Sequence, residues 1–243
     1  MISPILFEFG SFRITYYALV YVFGALAVLF MLRKARKVIG LSEGEVYDLV
    51  VLMIVGAIVG ARIFHILFWD LEYFASNLVE VFFIWEGGLS FHGGLTGVGL
   101  AAWFYSRKKK VSLMKIADIV VLPAVLFLAL GRIANFINQE IVGRITDVSW
   151  CVNFRFDEGC RHPVQLYAAG GRFLLFLFLL LLNDLKKLKE GFIFWNFVFF
   201  IGIGRFVLDF WREGVQHLGL LSGQWLGLIM FVVSGVVLWK EYK

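Results

Sequence analysis

Hydrophobic residues in this sequence fall into long runs, and short charged clusters separate one run from the next. A helix needs about 20 mainly apolar residues to cross the hydrocarbon core of a bilayer, whereas a soluble protein places polar positions at regular spacing within each element. The pattern therefore predicts an all-α integral membrane protein, formed by one polytopic domain over residues 1–243, that crosses the membrane about seven times. The predicted helices span residues 14–32, 46–68, 91–105, 116–136, 163–182, 192–210 and 223–239.

The lysines indicate which side of the membrane each connection faces. All of them lie in clusters beside the apolar runs, and these clusters fall on alternate connections. Such ends are cytoplasmic by the positive-inside rule, which predicts an N-terminus outside and a cytoplasmic C-terminus. Segments 69–90 and 138–162 are then extracytoplasmic surface segments. The lysines are Lys34, Lys37, Lys108, Lys109, Lys110, Lys115, Lys186, Lys187, Lys189, Lys240 and Lys243.

Composition supports a membrane protein and weakens other classes. Of the 243 residues, 60% are hydrophobic and 17% are charged, against about a quarter charged in a soluble domain. The net charge of +5 comes from clusters at helix ends and forms no basic face, so it indicates orientation and not nucleic-acid binding. Arg33 and Lys34 follow the first run, and no small-residue cleavage site is evident, so we interpret that run as a retained helix rather than a signal peptide.

Cysteine and histidine usage gives no sign of a metal centre. Cys151 and Cys160 are too few for a metal framework and lack its spacing. They form one disulfide if they face an oxidising compartment, and two free thiols are an equal alternative. The four histidines show no metal-ligand spacing, and no nucleotide-binding or hydrolase motif is present. The sequence predicts neither a metal nor another cofactor.

The basic residues outside the lysine clusters are all arginines, and they lie within predicted helices or toward the outer half of the membrane. A charged side chain at the centre of a spanning helix costs about 2.5–3.5 kcal/mol on insertion scales, so something must compensate for it. A guanidinium group offers paired donors to a phosphate or a carboxylate. These residues therefore indicate an anionic ligand or a buried ion-pair network. They are Arg13, Arg62, Arg132, Arg144, Arg155, Arg161, Arg172, Arg205 and Arg212.

The densest polar cluster in an apolar context spans residues 131–140 and is followed by a Gly-Arg pair. Arg132 and Asn135 are three residues apart, so on a helix their side chains point the same way. Their donors suit a phosphate. An interhelical hydrogen-bond network, with Glu140 paired to an arginine, would use the same residues.

Three further positions are candidates for chemistry. His92 lies at the predicted outer mouth of the third helix, where an imidazole suits the role of proton acceptor for a thiol or hydroxyl; a structural hydrogen bond is the alternative. Arg205 and Asp209 form an i, i+4 pair in the sixth predicted helix, which either neutralises itself as a salt bridge or binds substrate.

Six sequence blocks together resemble the prolipoprotein diacylglyceryl transferase family of bacterial inner membranes, in the family's order and over most of the chain. GRIANFINQE at 131–140 and the following Gly-Arg are similar to the family pattern GRxGNFxNGE with its own Gly-Arg. The other blocks are TYYALVY at 15–21, GARIFHILF at 60–68, WEGGLSFHGG at 85–94, RHPVQLY at 161–167 and GRFVLDFWR at 204–212. The chain departs from the family pattern at Ala134, Gln139, Ala168, Ile201 and Asp209.

The resemblance implies a multi-pass transferase of the bacterial cytoplasmic (inner) membrane. This family transfers the diacylglyceryl group of phosphatidylglycerol to the lipobox cysteine thiol of a prolipoprotein, which forms a thioether and releases glycerol phosphate. The expected partners are phosphatidylglycerol, the prolipoprotein signal peptide with its lipobox cysteine, and membrane lipids, with no nucleic acid. The residues that match positions the family uses for activity are Tyr17, His92, Arg132, Asn135, Glu140, Gly143 and Arg205. Arg144 belongs to the matching Gly-Arg pair, and Asp209 stands where the family usually has a glutamate.

By this resemblance His92, Arg132 and Arg205 are the expected catalytic residues. His92 assists deprotonation of the thiol, with a substrate-derived or arginine-stabilised thiolate as the alternative, and the two arginines bind the phosphate. The other positions bind substrate, and Glu140 and Asp209 orient arginines. Two different functions stay open: a transporter for an anionic solute, although that predicts a polar stripe through the full membrane, and an inactive family member that binds lipid.

Overall fold

The structure, a computed structural model, describes residues 3, 5–9, 12–184, 188–214 and 216–243. Lys186 and Lys187 of the third lysine cluster lie outside the described residues, as does the side chain of Arg13. Within the described ranges the chain forms eight α-helices, of which seven correspond to the predicted ones and one, α3, is short. Their bounds are α1 Tyr16–Ile39, α2 Glu43–Phe68, α3 Leu71–Ser76, α4 Phe91–Lys109, α5 Leu113–Asn138, α6 Val164–Asn183, α7 Phe192–Leu208 and α8 Ser222–Glu241.

The helices are longer than the apolar runs at the ends that carry lysine. α1 continues through Arg33 and Lys34 to Ile39, and α4 continues to Lys109. Lysine and arginine are good helix formers, and their long side chains reach out of the apolar layer. A helix therefore does not have to end where its hydrophobic residues end.

Six of the described helices are long and apolar enough to cross a membrane: α1, α2, α5, α6, α7 with the turn that follows it, and α8. α4 is also long, but four glycines and three basic residues make it less apolar. The chain is thus a multi-pass helical membrane protein. The count of seven crossings and the orientation of the two termini stay predictions.

The described residues also form three short antiparallel hairpins, one before α1 and two between helices, and the hydrophobic pattern did not predict them. Because β2 ends at Thr15, the first helix begins at residue 16 and not, as predicted, at residue 14. The predicted surface segment 69–90 contains α3 and two 3-10 turns, and segment 138–162 contains the second hairpin. The paired strands are β1 Ile5–Phe9 with β2 Phe12–Thr15, β3 Val152–Asn153 with β4 Cys160–Arg161, and β5 Gln216–His217 with β6 Leu220–Leu221.

The chain divides into two compact units, one formed by the residues up to Ala27 together with Ala117–Lys243, the other by Val28–Ile116. The predicted single domain is not tested by this division and stays a prediction. In the second unit, α2 and α4 approach closely through glycines. A Cβ atom on Gly56 would lie 2.6 Å from the carbonyl oxygen of Gly97. Small residues on both helices permit this close backbone contact.

The lysine-bearing end of the same unit is fixed by a helix cap. Ser42 Oγ accepts the Glu45 N–H at 3.3 Å, and Glu45 Oε2 accepts the Ser42 N–H at 2.8 Å, which together form a capping box for α2. Lys109 Nζ lies 2.7 Å from Glu45 Oε1, and the Tyr105 hydroxyl donates to the Glu45 carbonyl at 2.8 Å. The end of α4 is thereby held against the start of α2.

In the first unit, α5 caps α7. Asp118 Oδ2 accepts the Gly191 N–H at 2.6 Å, and Oδ1 accepts the Phe194 N–H at 2.8 Å. The first N–H groups of a helix have no partner within the helix, so this carboxylate satisfies two of them. The contact fixes the start of the helix whose other end carries Arg205.

Candidate functional site

The end of α5 carries a hydrogen-bond network built from residues 131–140. Arg132 Nη1 donates to Asn135 Oδ1 at 3.4 Å, so the two side chains point the same way, as their spacing predicted. Asn135 is buried, and its Nδ2 donates to Glu140 Oε2 at 3.1 Å. Asn138 Nδ2 donates to the other Glu140 oxygen at 3.2 Å. The pairing of Glu140 with an arginine is not found among the described residues; Glu140 contacts Arg132 only through Asn135.

The end of α7 carries an ion cluster of three residues. Asp209 is 1% exposed and lies 3.0 Å from Arg205 Nε and 3.1 Å from Arg212 Nη1. The predicted i, i+4 pair is therefore present, and Arg212 leaves the cluster with one excess positive charge. Gly223, in the first turn of α8, lies against the carboxylate, because a Cβ there would overlap Asp209 Oδ2. The missing side chain at Gly223 leaves room for the ion cluster.

The segment that follows α5 is attached to the end of α7. Gly143 is buried, its N–H donates to the His162 carbonyl at 3.1 Å, and its own carbonyl accepts from Arg161 Nη1 at 3.0 Å. A Cβ on Gly143 would lie 2.5 Å from the His162 carbonyl oxygen, so a larger residue does not fit. Arg144 Nε donates to the Arg212 carbonyl at 2.8 Å. Gly143 and Arg144 thus hold this segment beside the ion cluster, and their role in substrate binding stays a prediction.

Four arginines of the first unit interact electrostatically with one another, and two of them, Arg205 and Arg212, share the Asp209 carboxylate. Arg132 is close enough to interact with Arg205, Arg212 and Asp209. Arg172 on α6 interacts with Arg132 and Arg205. Apart from Asp209, no carboxylate of the described residues lies within ion-pair distance of any of the four. This part of the protein therefore carries an excess of positive charge that suits an anion.

Tyr17, in the first turn of α1, belongs to the same group of side chains. Its hydroxyl accepts a hydrogen bond from Tyr21 at 3.1 Å, and it lies near enough to interact with both Arg132 and Arg172. The first unit therefore contains eight of the nine predicted site residues. These are Tyr17, Arg132, Asn135, Glu140, Gly143, Arg144, Arg205 and Asp209.

His92 belongs to the second unit, where it occupies the first turn of α4. Ser90 caps this helix by accepting the Gly93 N–H, and the Ser90 N–H donates to the Ala61 carbonyl at 3.0 Å. The His92 side chain is exposed and makes no hydrogen bond with any residue that the structure describes. An unpaired imidazole at a helix start is free to exchange a proton with a substrate, and its predicted role as base stays untested.

The segment leading into α4 is held by Arg62. This arginine is 6% exposed and donates from Nε to the Val81 carbonyl at 2.9 Å, from Nη1 to the Gly87 carbonyl at 2.8 Å and from Nη2 to the Glu80 carbonyl at 2.6 Å. Its guanidinium also lies 4.7 Å from the centre of the Phe74 ring. Backbone carbonyls and an aromatic face, rather than an anion, therefore compensate this buried charge.

Cys151 and Cys160 form a disulfide. It closes the β3–β4 hairpin, in which Cys160 pairs with Asn153. Of the two alternatives that the sequence left open, the bonded form is the one found. Within the described ranges, no three His, Cys, Asp or Glu side chains are grouped so as to hold a metal ion.

The family to which these residues belong follows from a comparison with known proteins. A family model described as prolipoprotein diacylglyceryl transferase matches residues 4–240. The chain belongs to this family. The family resemblance inferred from the six sequence blocks is thus confirmed over nearly the whole chain.

Relatives named phosphatidylglycerol–prolipoprotein diacylglyceryl transferase match the chain over nearly their full length. The protein of Geobacter sulfurreducens is 39% identical over 241 residues, which cover 96% of this chain and 93% of the relative. That of Idiomarina loihiensis is 38% identical over 250 residues, covering 100% and 94%. That of Rhodospirillum rubrum is 38% identical over 250 residues, covering 97% and 90%.

Three residues that contact or interact with the candidate site of this prolipoprotein diacylglyceryl transferase family member were not selected as site residues from the sequence. They are Arg172, Arg212 and Gly223. Arg172 and Arg212 were noted among the arginines outside the lysine clusters, but nothing in their spacing connects them with Arg132. Gly223 gave no signal at all, because its importance depends on which helix packs against the Asp209 carboxylate. Arginine within an apolar run was the only sequence signal available for the first two.

Proposed function

We propose that the protein transfers the diacylglyceryl group of phosphatidylglycerol to the lipobox cysteine thiol of prolipoproteins, which forms a thioether and releases glycerol phosphate. The observation that carries this proposal is a group of four arginines in one compact unit, of which only Arg205 and Arg212 pair with a carboxylate, Asp209, among the described residues. Unpaired cations are costly in a membrane, and an anionic headgroup compensates them. The names of the relatives support phosphatidylglycerol and prolipoproteins as the substrates.

The proposed enzyme crosses the bacterial inner membrane seven times, with its N-terminus outside. The lysines support this orientation, because they lie at or just beyond the C-terminal ends of α1, α4 and α8, at the start of α5 and before α7, which places them all on alternate connections. The disulfide supports it as well, since disulfides persist in oxidising compartments and this one lies on the connection that the lysines assign to the outside. The reaction then takes place near the outer leaflet, where an exported cysteine can meet a lipid headgroup.

The reaction replaces one bond to a glycerol carbon by another. The thiol loses its proton, the sulfur forms a bond to the terminal glycerol carbon of the diacylglyceryl group, and the carbon–oxygen bond to the phosphate breaks with its electron pair going to the phosphate oxygen. A free thiol has a pKa of about 8.5 and is mostly protonated at neutral pH. His92 accepts its proton in this proposal. Arg132 and Arg205 stabilise the charge that appears on the phosphate, as preoriented donors do in a water-poor site.

The remaining site residues orient these groups. Asp209 holds Arg205 by its 3.0 Å ion pair, and Glu140 holds Asn135, which in turn accepts a hydrogen bond from Arg132. Tyr17, Asn135, Gly143 and Arg144 position the headgroup. The acyl chains remain in the bilayer, so the reaction needs only the headgroup to enter the site.

The decisive experiment incubates purified protein with isotope-labelled phosphatidylglycerol and a lipobox peptide, and detects the thioether product by mass spectrometry. The Arg132→Ala variant should lose transfer while remaining inserted and monodisperse in detergent. Arg155→Ala is the matched control, because Arg155 is an exposed arginine of the connection after α5. The unaltered protein should form the thioether. Its failure to do so would contradict the proposed transfer and favour a transporter or a lipid-binding protein. Near-normal transfer by Arg132→Ala would contradict the role proposed for Arg132.

A further inference from the structure

Arg172 of α6 has no counter-ion among the residues that the structure describes. Its Nη1 donates to the carbonyl oxygen of Leu128 at 3.0 Å, and its other donors have no hydrogen-bond partner among the described residues. In a regular helix the Leu128 carbonyl also accepts the backbone N–H of Arg132. Arg172 is thus fastened to the turn of α5 that carries Arg132, and it interacts electrostatically with Arg132 and Arg205.

The charges around Arg172 do not balance. Asp209 is shared by Arg205 and Arg212, so these three residues carry one net positive charge. Arg132 contacts the neutral amide of Asn135, and Arg172 contacts a neutral carbonyl. Two further guanidinium groups therefore lie in the same unit without a carboxylate, and a single phosphodiester, with one negative charge, does not match them.

The proposed reaction creates a second negative charge on the phosphate. Phosphatidylglycerol presents a phosphodiester with one negative charge. When sulfur displaces the phosphate, the electron pair of the carbon–oxygen bond goes to the phosphate oxygen, and the leaving group becomes a phosphate monoester. Such a monoester has a second pKa of about 6 and carries nearly two negative charges at neutral pH. The thiolate that attacks becomes a neutral thioether, so the second negative charge moves onto the phosphate during the reaction.

We propose that Arg172 is a third phosphate-directed arginine, which together with Arg132 stabilises the second negative charge as the carbon–oxygen bond breaks. This inference rests on the proposed transferase function. Interactions that are stronger in the transition state than in the ground state raise the rate of the chemical step. A cation near the phosphate attracts one negative charge in the bound lipid and close to two in the transition state, so its effect on the two states differs.

Kinetics of Arg172→Met, Arg172→Lys and Arg155→Met test this role. Removing the charge of Arg172 should weaken binding of the lipid in the ground state, where the phosphate carries one negative charge. It should weaken stabilisation of the transition state about twice as much in free energy, because the phosphate then carries close to two negative charges. On the order of a tenfold rise in KM for phosphatidylglycerol and a tenfold fall in kcat are expected for Arg172→Met. The Arg172→Lys variant keeps the charge and should stay within about threefold of the unaltered protein on both constants. Arg155→Met removes an exposed arginine and should change neither constant.

Three kinetic outcomes would overturn the inference. A rise in KM with an unchanged kcat for Arg172→Met would mean that Arg172 only binds the lipid. An unchanged KM and kcat would mean that Arg172 interacts with neither the bound lipid nor the transition state. Loss of kcat to the same extent in Arg172→Lys and Arg172→Met would identify a packing role. Absence of any thioether from the unaltered protein would instead contradict the proposed function, which separates the two failures.

Binding of glycerol phosphate supplies a readout that does not require turnover. Calorimetry with the detergent-solubilised protein compares its dissociation constant at pH 5, where the ligand carries about one charge, with that at pH 8, where it carries about two. The ratio of Kd for Arg172→Met to Kd for the unaltered protein should rise about tenfold between these pH values. An equal ratio at both pH values would contradict a role for Arg172 in stabilising the second charge.

Discussion

Replacing Gly97 with alanine should separate α2 from α4, whereas the same change at Gly99 should not. A Cβ on Gly97 would overlap the carbonyl oxygen of Gly56 and would lie 3.2 Å from Gly60 Cα. A Cβ on Gly99, two residues further along the same helix, meets no described atom within 4 Å. The two substitutions are chemically identical and differ only in what faces the new methyl group.

The size of the effect follows from the nature of the contact. The overlapping atoms belong to the backbone of α2, so no side-chain rotation relieves the overlap. Overpacking typically costs about 1–3 kcal/mol, and this rigid contact places Gly97→Ala near 3 kcal/mol. Alanine recovers about 1 kcal/mol through its better helix propensity. A net loss of about 2 kcal/mol corresponds to a fall in Tm of about 4–8 °C for a chain of this length. Gly99→Ala keeps only the propensity gain.

Thermal unfolding of both variants in one detergent, followed by tryptophan fluorescence, measures the difference. Gly97→Ala should unfold several degrees below the unaltered protein, and Gly99→Ala should unfold at the same temperature or slightly above it. Transfer by Gly97→Ala should fall as well, because His92 lies in the first turn of the displaced helix. Equal melting temperatures for the two variants would refute the close packing of these helices.

Three further predictions concern single contacts. Arg62→Met removes donors to five backbone carbonyls and should destabilise the protein by about 3 kcal/mol, with faster hydrogen exchange in residues 77–90. Unchanged protection, measured by mass spectrometry, would contradict this. Gly223→Ala should push the Asp209 carboxylate away from its arginines and lower transfer about tenfold or more. The control is Gly204→Ala, whose added Cβ meets no described atom within 4 Å and which should retain activity in the same assay. Asp118→Ala should remove the cap of α7 and lower the free energy of unfolding by about 1–2 kcal/mol, whereas a denaturant midpoint equal to that of the unaltered protein would show that the cap is not needed.

Seven of the eight described helices were predictable because each contains a long run of mainly apolar residues, which indicates a helix without tertiary information; the short α3 was not predicted. Their ends were not, since α1 continues through charged residues that keep a helical backbone outside the apolar layer. The short hairpins escaped prediction for a different reason. A strand of two residues, such as β3 or β5, has no room for an alternating pattern and exists only because neighbouring segments hold it.

The candidate site was predictable where its residues are close in sequence. The contacts of Arg132 with Asn135 and of Arg205 with Asp209 follow from helical spacing alone. Arg172 lies 40 positions after Arg132 and on another helix, so its place beside that residue depends on how α5 and α6 pack. Charge balance, and not spacing, is the property that connects these residues, and it becomes visible only when the tertiary contacts are known.

The two substituted glycines of the 131–140 block do not support the alternative of an inactive family member. Ala134 lies inside α5 and is 2% exposed, and a helix accommodates alanine better than glycine. Gln139 has a φ of 60°, in the left-handed region, where a side chain costs about 1–2 kcal/mol. Its Oε1 accepts the Arg155 N–H at 2.6 Å, and such a bond returns about 1 kcal/mol. The strain is thus confined to one residue and largely offset, and the hydrogen bonds that orient Arg132 remain in place.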